Sequence, residues 1–384
     1  MAFLTVTQRS PQHRAYQIVG WAIAAVVVIG LPYFVGRPAR IDQFSQVAAY
    51  AVAILGLNLV IGFSGQISLG HSAFVGIGAY TTVLLVADRK WNYFATMPVA
   101  FVLCFVVGVL VGIPALRIRG LYLAVVTLAL ATVFPTLVLK YDSFTGGPNG
   151  KLARARLLPP SWTPWDARSR FGPVAYRYFV IVGIAVVMFV LARNLMRGRV
   201  GRAVIASRDN QTSAAVNGVN LAVYKTLTFG FSAAFAGVAG SLLMIQQPQA
   251  TDTKFGVALA IFLVVALVLG GVGTIAGAIP GGLLFVFVPY YASHWSNNFS
   301  FLEGRPGAGE VAGVLYGALL LAFVFILPGG VMDGLRRLRV RIIHIVPNPA
   351  WLSDVRRIKP AVATEAEGDA GERDDETAIL NTNY

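Results

Sequence analysis

The chain has 384 residues, 56% of them hydrophobic and only 12% charged, with a formal net charge of +14. A soluble domain carries about 25% charged residues, so there is too little polar surface here to cover a water-soluble globule, and the composition indicates an integral membrane protein. One cysteine, Cys104, makes neither an internal disulfide nor a cysteine-cluster metal site.

A bilayer core of about 30 Å takes about 20 apolar residues per helix. Runs of that kind lie at 18–36, 44–62, 67–86, 95–116, 120–139, 176–195, 225–246, 256–271, 274–293 and 311–327. They predict an all-α, polytopic membrane protein with about ten transmembrane or re-entrant helices. The 67–86 run is rich in small residues and the 256–271 run is short. The first run is read as an uncleaved span, because it is long and no small-residue cleavage site follows before Arg37.

Basic residues set the orientation, since loops rich in Lys and Arg stay inside. Arg197, Arg199, Arg202 and Arg208 follow the sixth run, and Arg336, Arg337, Arg339 and Arg341 follow the tenth. Both regions are expected to be cytoplasmic, as is the segment 1–17 with Arg9 and Arg14. The membrane domain then covers 18–335. An external loop is expected at about 141–175, although Lys151, Arg154, Arg156, Arg168 and Arg170 there outnumber Asp142 and Asp166. A basic cytoplasmic segment follows at 336–360. Residues 361–384 hold seven acids and one arginine and read as a disordered acidic tail. The positive balance elsewhere is read as topology rather than nucleic-acid binding.

Small residues let helices approach closely in lipid. Gly108-x-x-x-Gly112, Gly273-x-x-x-Gly277-x-x-x-Gly281 and Gly313-x-x-x-Gly317 together suggest a compact bundle. "GFSGQISLGHSAF" and "GGVGTIAGAIPGG" each place a glycine-rich break between apolar arms, which hints at an internal repeat.

No Asp or Glu falls inside the ten runs, which disfavours a proton-relaying pump or carrier. "TGGPNGKL" lacks the first glycine and the final Ser or Thr of a phosphate loop, at Thr145 and Leu152, and reads as a tight turn. No carboxylate in the spans can orient His71 for nucleophilic catalysis, and four histidines in the whole chain leave a metal site without ligands. The chain is therefore not expected to be an enzyme.

Two stretches remain informative. In "GLNLVIGFSGQISLGHSAFVGIGAY", Gly62 and Gly65 allow a bend after the second span. Asn58, Ser64, Gln66, Ser68 and His71 can then line a polar substrate path. The competing reading is a turn in which Ser68 or Ser72 caps the third helix and His71 is bonded within the bundle. In "GRVGRAVIASRDNQTSAAVNGVNLAVYK", Ser207 or Asp209 can cap a short helix over Gln211 to Val216, ended by Gly218. Ala214, Ala215 and Val216 give it a small apolar surface, which suits an ordinary connection or a docking surface for a cytoplasmic partner.

These two stretches resemble the permease subunits of branched-chain amino-acid ABC importers. "RIRGLYLAVVTLAL", "TGGPNGK", "GRAVIASRDNQTSAAVNGVNLAVYKTLTFGFSAAFAGVAGSL" and "LVLGGVGTIAGAIPGG" match further blocks of that family in the same order, over about residues 40–335. The longer of the family's two paired permease types, with an extended outer loop, fits best. The resemblance implies a second, homologous permease, two cytoplasmic ATPases and an extracytoplasmic substrate-binding protein as partners, all at the bacterial cell membrane. It implies no cofactor in this chain, with ATP and Mg bound by the ATPases. It places the ATPase-coupling segment at about 197–223, with Arg208, Asp209, Asn210, Ala214, Ala215 and Gly218 as its coupling residues. Gln211 and Thr212 stand where relatives often carry an acid, and Asn217 where a large apolar residue often precedes glycine.

The function expected is translocation of branched-chain or similar small amino acids by alternating access, powered by the partner ATPases. A urea or short-chain amide importer of the same superfamily is the nearest alternative. A passive channel, a carbonyl-coordinated secondary carrier and a membrane scaffold are the others.

Overall fold

The computed structural model describes residues 4–7, 36–115, 121–153, 155–160, 171–298 and 329–346, with further positions within 26–34, 161–169 and 317–325. The predicted first span at 18–36, the tenth at 311–327, Gly313 and the acidic tail lie wholly or largely outside the described residues. The fold is all-α and polytopic. Eight described helices are long and apolar enough to cross a membrane, and they fall on the second to ninth predicted runs.

In chain order the helices are α1 (Pro38–Asn58), α2 (His71–Arg89), α3 (Tyr93–Ala115), α4 (Leu121–Lys140), α5 (Gly172–Arg197), α6 (Arg199–Asp209), α7 (Gln211–Val216), α8 (Leu221–Gln246), α9 (Val257–Gly270), α10 (Ala278–Asn298) and α11 (Gly330–Ile342). α1 continues through one π-type turn, Leu59–Phe63. Two short strands, β2 (Lys151–Leu152) and β3 (Gln249–Ala250), pair antiparallel. The chain divides into two units, residues 29–334 and the two ends taken together. In the terminal unit β1 (Leu4–Thr7) pairs in parallel with β4 (Ile343–Val346).

α8 is the central post of the larger unit. Some 94% of its apolar stretch is buried, against 72% for α1, 67% for α2 and 28% for both α3 and α5. α1, α2 and α3 pack around it, while α5 and α10 lean on α1. The sequence explains why α8 is central. Gly230, Gly237 and Gly240 lie along it, and a methyl on Gly240 would run into the Val75 carbonyl of α2. Gly78 of α2 sits on the Gly237 carbonyl in the same way, and Gly108 of α3 sits on Ala233. Backbones this close gain dispersion contact that larger side chains would prevent. Of the three small-residue motifs, Gly108 meets α8 and Gly281 meets the Ala266 carbonyl of α9, whereas among the described residues nothing lies against Gly317.

The connections sort into two ends. At one, Lys151 pairs with Asp88 at 2.9 Å, Asp42 faces Arg177 at 3.9 Å, and the Tyr93 hydroxyl donates to the Ala155 carbonyl at 2.8 Å. At the other lie the end of α1, the α6–α7 pair and the break after α9. The connection around 141–160 thus stands at the opposite end from 197–223. The spans also start and stop beyond their predicted limits. Asp42, Asp88 and Asp252 fall within the helical spans Pro38–Phe63, His71–Arg89 and Asp252–Gly270. This corrects the expectation of carboxylate-free spans. Asp88 and Asp252 sit in end turns, and Asp42, one turn in from the start of α1, is 36% exposed and faces Arg177.

Candidate functional site

The polar break after α1 begins with a change of winding. The π-type turn at Leu59–Phe63 leaves carbonyls without their usual partners, and Ser64, Gly65 and Gln66 return their amides to Leu59, Ile61 and Val60 at 3.0–3.2 Å. Gly65 then adopts φ +69°, a left-handed conformation that a side chain disfavours. The chain runs without regular structure through Ser64–Gly70 and enters α2 at His71.

This break lies at depth. The His71 Nε2 bonds the Ala53 carbonyl at 2.8 Å. Ala53 is ten residues before Phe63, about 15 Å along a helix at 1.5 Å per residue. The chain therefore folds back into the bundle before α2 starts, so α2 begins later than the predicted run at 67. Backbone at such a level must be satisfied by protein. The Thr127 hydroxyl of α4 accepts the Leu69 amide at 2.8 Å. Neither Ser68 nor Ser72 caps α2; Gly70 holds that position without a side-chain bond. The physical reason is space, because a Cβ on Gly70 would stand 2.7 Å from the Thr127 carbonyl oxygen. Among the described residues the buried Ser72 hydroxyl finds no hydrogen-bond partner.

The second break, between α9 and α10, meets the first. Asn58 is fully buried. Its Nδ2 donates to the Thr274 carbonyl at 2.8 Å, and its Oδ1 accepts the Gly273 amide at 2.9 Å. Gly271 and Gly273 have φ +122° and +73°, so both breaks depend on glycine at the place where they touch. The two glycine-rich stretches that look alike in sequence thus lie side by side, with Gly62 against Gly273 and Asn58, four residues before Gly62, bonded to the second stretch.

The α6–α7 pair closes over this junction. α6 is a helix where the sequence suggested a connecting loop, and it buries Gly201, Val204 and Ser207. α7 covers the predicted Gln211–Val216. Its cap is Asn210, not Ser207 or Asp209: the Asn210 Oδ1 accepts the Ser213 amide at 2.9 Å. Ser207 and Asp209 cannot serve, since both are still inside α6. Gly218, at φ +81°, ends the turn. Ala214 points inward, whereas Ala215 and Val216 are exposed, Val216 at 84%. Arg208 donates through Nε and Nη2 to the Asp209 Oδ1 at 2.9 and 2.8 Å, and through Nη1 to the Gly62 carbonyl at 2.9 Å.

Several predicted site residues therefore gather at one end of the bundle. Asn58 and His71 bond to backbone within the bundle, and Gln66 donates to the Ser64 hydroxyl at 2.6 Å. Ser64 and Ser68 are buried. Gly273, Thr274 and Thr127 escaped the sequence reading because their contribution is backbone geometry or one hydroxyl on a distant helix. Asn58 carried a signal, as an amide at the end of the apolar run 47–57. No group of metal-ligating side chains occurs among the described residues.

Comparison with known proteins bears on this arrangement. A family model described as the permease component of branched-chain amino acid transport systems matches residues 40–324. The chain is 32% identical over 277 residues to the high-affinity branched-chain amino acid transport system permease protein LivM of Salmonella typhimurium, covering 68% of this chain and 65% of that protein. It is 26% identical to LivH of Escherichia coli K12, over 74% of this chain and 91% of that one. It is also 26% identical to BraD of Pseudomonas aeruginosa, over 62% and 80%. The matched region thus spans slightly under two thirds of the LivM relative. With both glycine breaks and the α6–α7 pair inside the matched region, this multi-pass membrane chain belongs to the family of permease components of branched-chain amino-acid transport systems.

Proposed function

We propose that the chain is the membrane-spanning permease subunit of an ABC importer for branched-chain or similar small amino acids. The observation that carries this reading is the family match over residues 40–324, which takes in every described span from α1 to α10. In this reading a second permease completes the path, two cytoplasmic ATPases supply the energy, and an external binding protein delivers substrate. The basic α6 and α11 argue that both termini and the α6–α7 pair face the cytoplasm, because Arg-rich segments near span ends resist translocation. A zwitterionic amino acid needs polar groups along its path but no strong fixed charge, which suits spans with carboxylates only near their ends.

α7 supports a docking role. It is one and a half turns long, lies outside the spans, and presents Ala215 and Val216 outward. It packs on α6, whose Arg208 bonds the Gly62 carbonyl, so a force on α7 passes through α6 to the end of α1. Closure of the ATPase pair then moves the hairpin and opens or shuts the path between the permeases.

The test is purification of the tagged chain in mild detergent with mass spectrometry of what remains attached, followed by uptake in liposomes. A second permease, two ATPases and ATP-dependent leucine, isoleucine or valine uptake are expected. Uptake of urea or a short-chain amide instead would move the substrate assignment. A lone chain that moves solute without ATP would replace the importer reading with a channel or carrier.

A further inference from the structure

We propose that Arg208 is a positioning residue that ties the α6–α7 hairpin to both glycine breaks at once, so that motion of the hairpin reaches α1 and α9 through this one side chain. The proposal deepens the importer reading and rests on it for its transport consequence. Sequence alone places Arg208 among residues that would meet an ATPase; in the structure its side chain is 38% exposed, but its Nη1 reaches inward to the Gly62 carbonyl.

Three observations converge. The Nη1 of Arg208 donates to the Gly62 carbonyl at 2.9 Å. That carbonyl belongs to the last turn of α1, where helix carbonyls lack partners and the dipole favours a cation. Secondly, the aliphatic stem lies over Gly65: a Cβ there would stand 2.9 Å from the Arg208 Cγ. The left-handed bend and the arginine thus occupy one space. Thirdly, a Cβ on Gly273 would lie 3.7 Å from the Arg208 Nη1 and 3.6 Å from the Gly62 carbonyl, so the guanidinium also borders the break before α10. Asn58, bonded to Gly273 and Thr274, makes the two breaks one body below it.

The outer side of the guanidinium is held by Asp209, whose side chain is 60% exposed. The planar fork makes this possible: one edge takes the carboxylate and the remaining nitrogen takes the carbonyl. A lysine at this position has its three N–H donors on a single nitrogen and cannot span both partners in the same geometry. The hairpin and the breaks are therefore linked through a rigid plane rather than a flexible ammonium.

The test uses the complete complex in liposomes, with leucine uptake and ATP hydrolysis measured together. Arg208→Gln is expected to assemble and hydrolyse ATP, but to lower leucine moved per ATP by about tenfold, as loss of a charge-assisted hydrogen bond at a coupling step would do. Arg208→Lys is expected to fall between the two. Hydrogen exchange gives a readout independent of transport: in Arg208→Lys, amides at 64–66 and 271–274 should exchange faster together with those of 210–216. An unchanged ratio of uptake to hydrolysis in Arg208→Gln, or faster exchange confined to 210–216, overturns the proposal. If Arg208→Gln fails to assemble, the exchange pattern of Arg208→Lys decides. If the wild-type complex takes up no amino acid with ATP, the importer reading fails, while the exchange experiment still decides whether Arg208 joins the hairpin to the breaks.

Discussion

Gly273 donates its amide to the side chain of Asn58 across 2.9 Å, although the two residues are 215 positions apart in the chain. The same side chain donates to the Thr274 carbonyl. One amide thus satisfies both an orphan donor and an orphan acceptor of a helix break whose own Thr274 hydroxyl is engaged with the Gly271 carbonyl at 2.8 Å. Replacing Asn58 by Leu leaves two partly buried backbone groups without this partner, at roughly 1 kcal/mol for each group. Asn58→Asp keeps the acceptor for Gly273 but loses the donor to Thr274 and buries a carboxyl group, so it should be no more stable than Asn58→Leu. Thermal unfolding of the detergent-solubilised chain checks both, with a clear drop in Tm expected for each. A wild-type Tm in Asn58→Leu would mean that the two breaks are held by something else.

The two glycines of the first break should fail differently. At Gly65 an alanine meets a left-handed backbone, a cost of roughly 1–2 kcal/mol, and presses on the stem of Arg208. Gly62 lies in the π-type turn and has no positive φ, but a methyl there would collide with the Asn58 Oδ1 and stand 2.5 Å from the Gly273 amide nitrogen. Gly62→Ala must therefore push the breaks apart. It is expected to reduce folded yield more than Gly65→Ala, and Gly65→Val more than Gly65→Ala. Size-exclusion profiles of fluorescently tagged variants measure this directly.

Much of the fold was legible in the sequence because burial in lipid needs only length and apolarity. The eight described spans fall on predicted runs for that reason. The start of α2 was misplaced because Gly70 caps it: the deciding contact is the Thr127 carbonyl on another helix, and no local pattern announces it. α6 was missed as a helix because its arginines mask an amphipathic face made by Gly201, Val204 and Ser207. The polar residues at 58–71 were visible as a cluster, yet their partners were not. Hydrogen bonds of Asn58 and His71 run to backbone atoms, and backbone atoms carry no sequence identity.

The central crossing sets a sharper contrast. Gly78→Ala places a methyl into the Gly237 carbonyl, and the helices α2 and α8 cannot keep their spacing. Overpacking of this kind costs typically 1–3 kcal/mol. Gly183 on α5 is the control, since nothing lies within 4 Å of a Cβ there. Gly183→Ala should leave Tm and expression at wild-type level or slightly above. Equal damage at both positions would show that glycine matters for the helices themselves rather than for their approach.

His71 joins α2 to α1 through the Ala53 carbonyl, so its Nε2 must carry a proton. A glutamine can present its amide nitrogen at a similar reach; a leucine cannot donate. His71→Leu should lower stability by about 1 kcal/mol, His71→Gln by less, and both should leave the relative uptake of leucine, isoleucine and valine unchanged. A changed preference among the three would place His71 against the substrate rather than within the packing.

The two faces of α7 separate docking from folding. Ala214 is 5% exposed and Val216 is 84% exposed, two positions apart on one short helix. Ala214→Asp puts a carboxylate against the bundle, where an uncompensated charge costs roughly 3–5 kcal/mol. The hairpin should loosen, and the variant should lose Tm with or without partners. Val216→Asp puts the same charge into solvent, where a surface substitution shifts stability by about 0.5 kcal/mol or less. If α7 docks an ATPase, that variant keeps its Tm as an isolated chain but loses ATPase on co-purification, along with ATP-driven uptake. Ala215→Asp, also on the exposed side, should follow Val216→Asp and not Ala214→Asp. Full retention of the ATPase in both exposed-face variants would move the contact away from α7 and onto the exposed arginine face of α6, where Arg202 is the residue to change next.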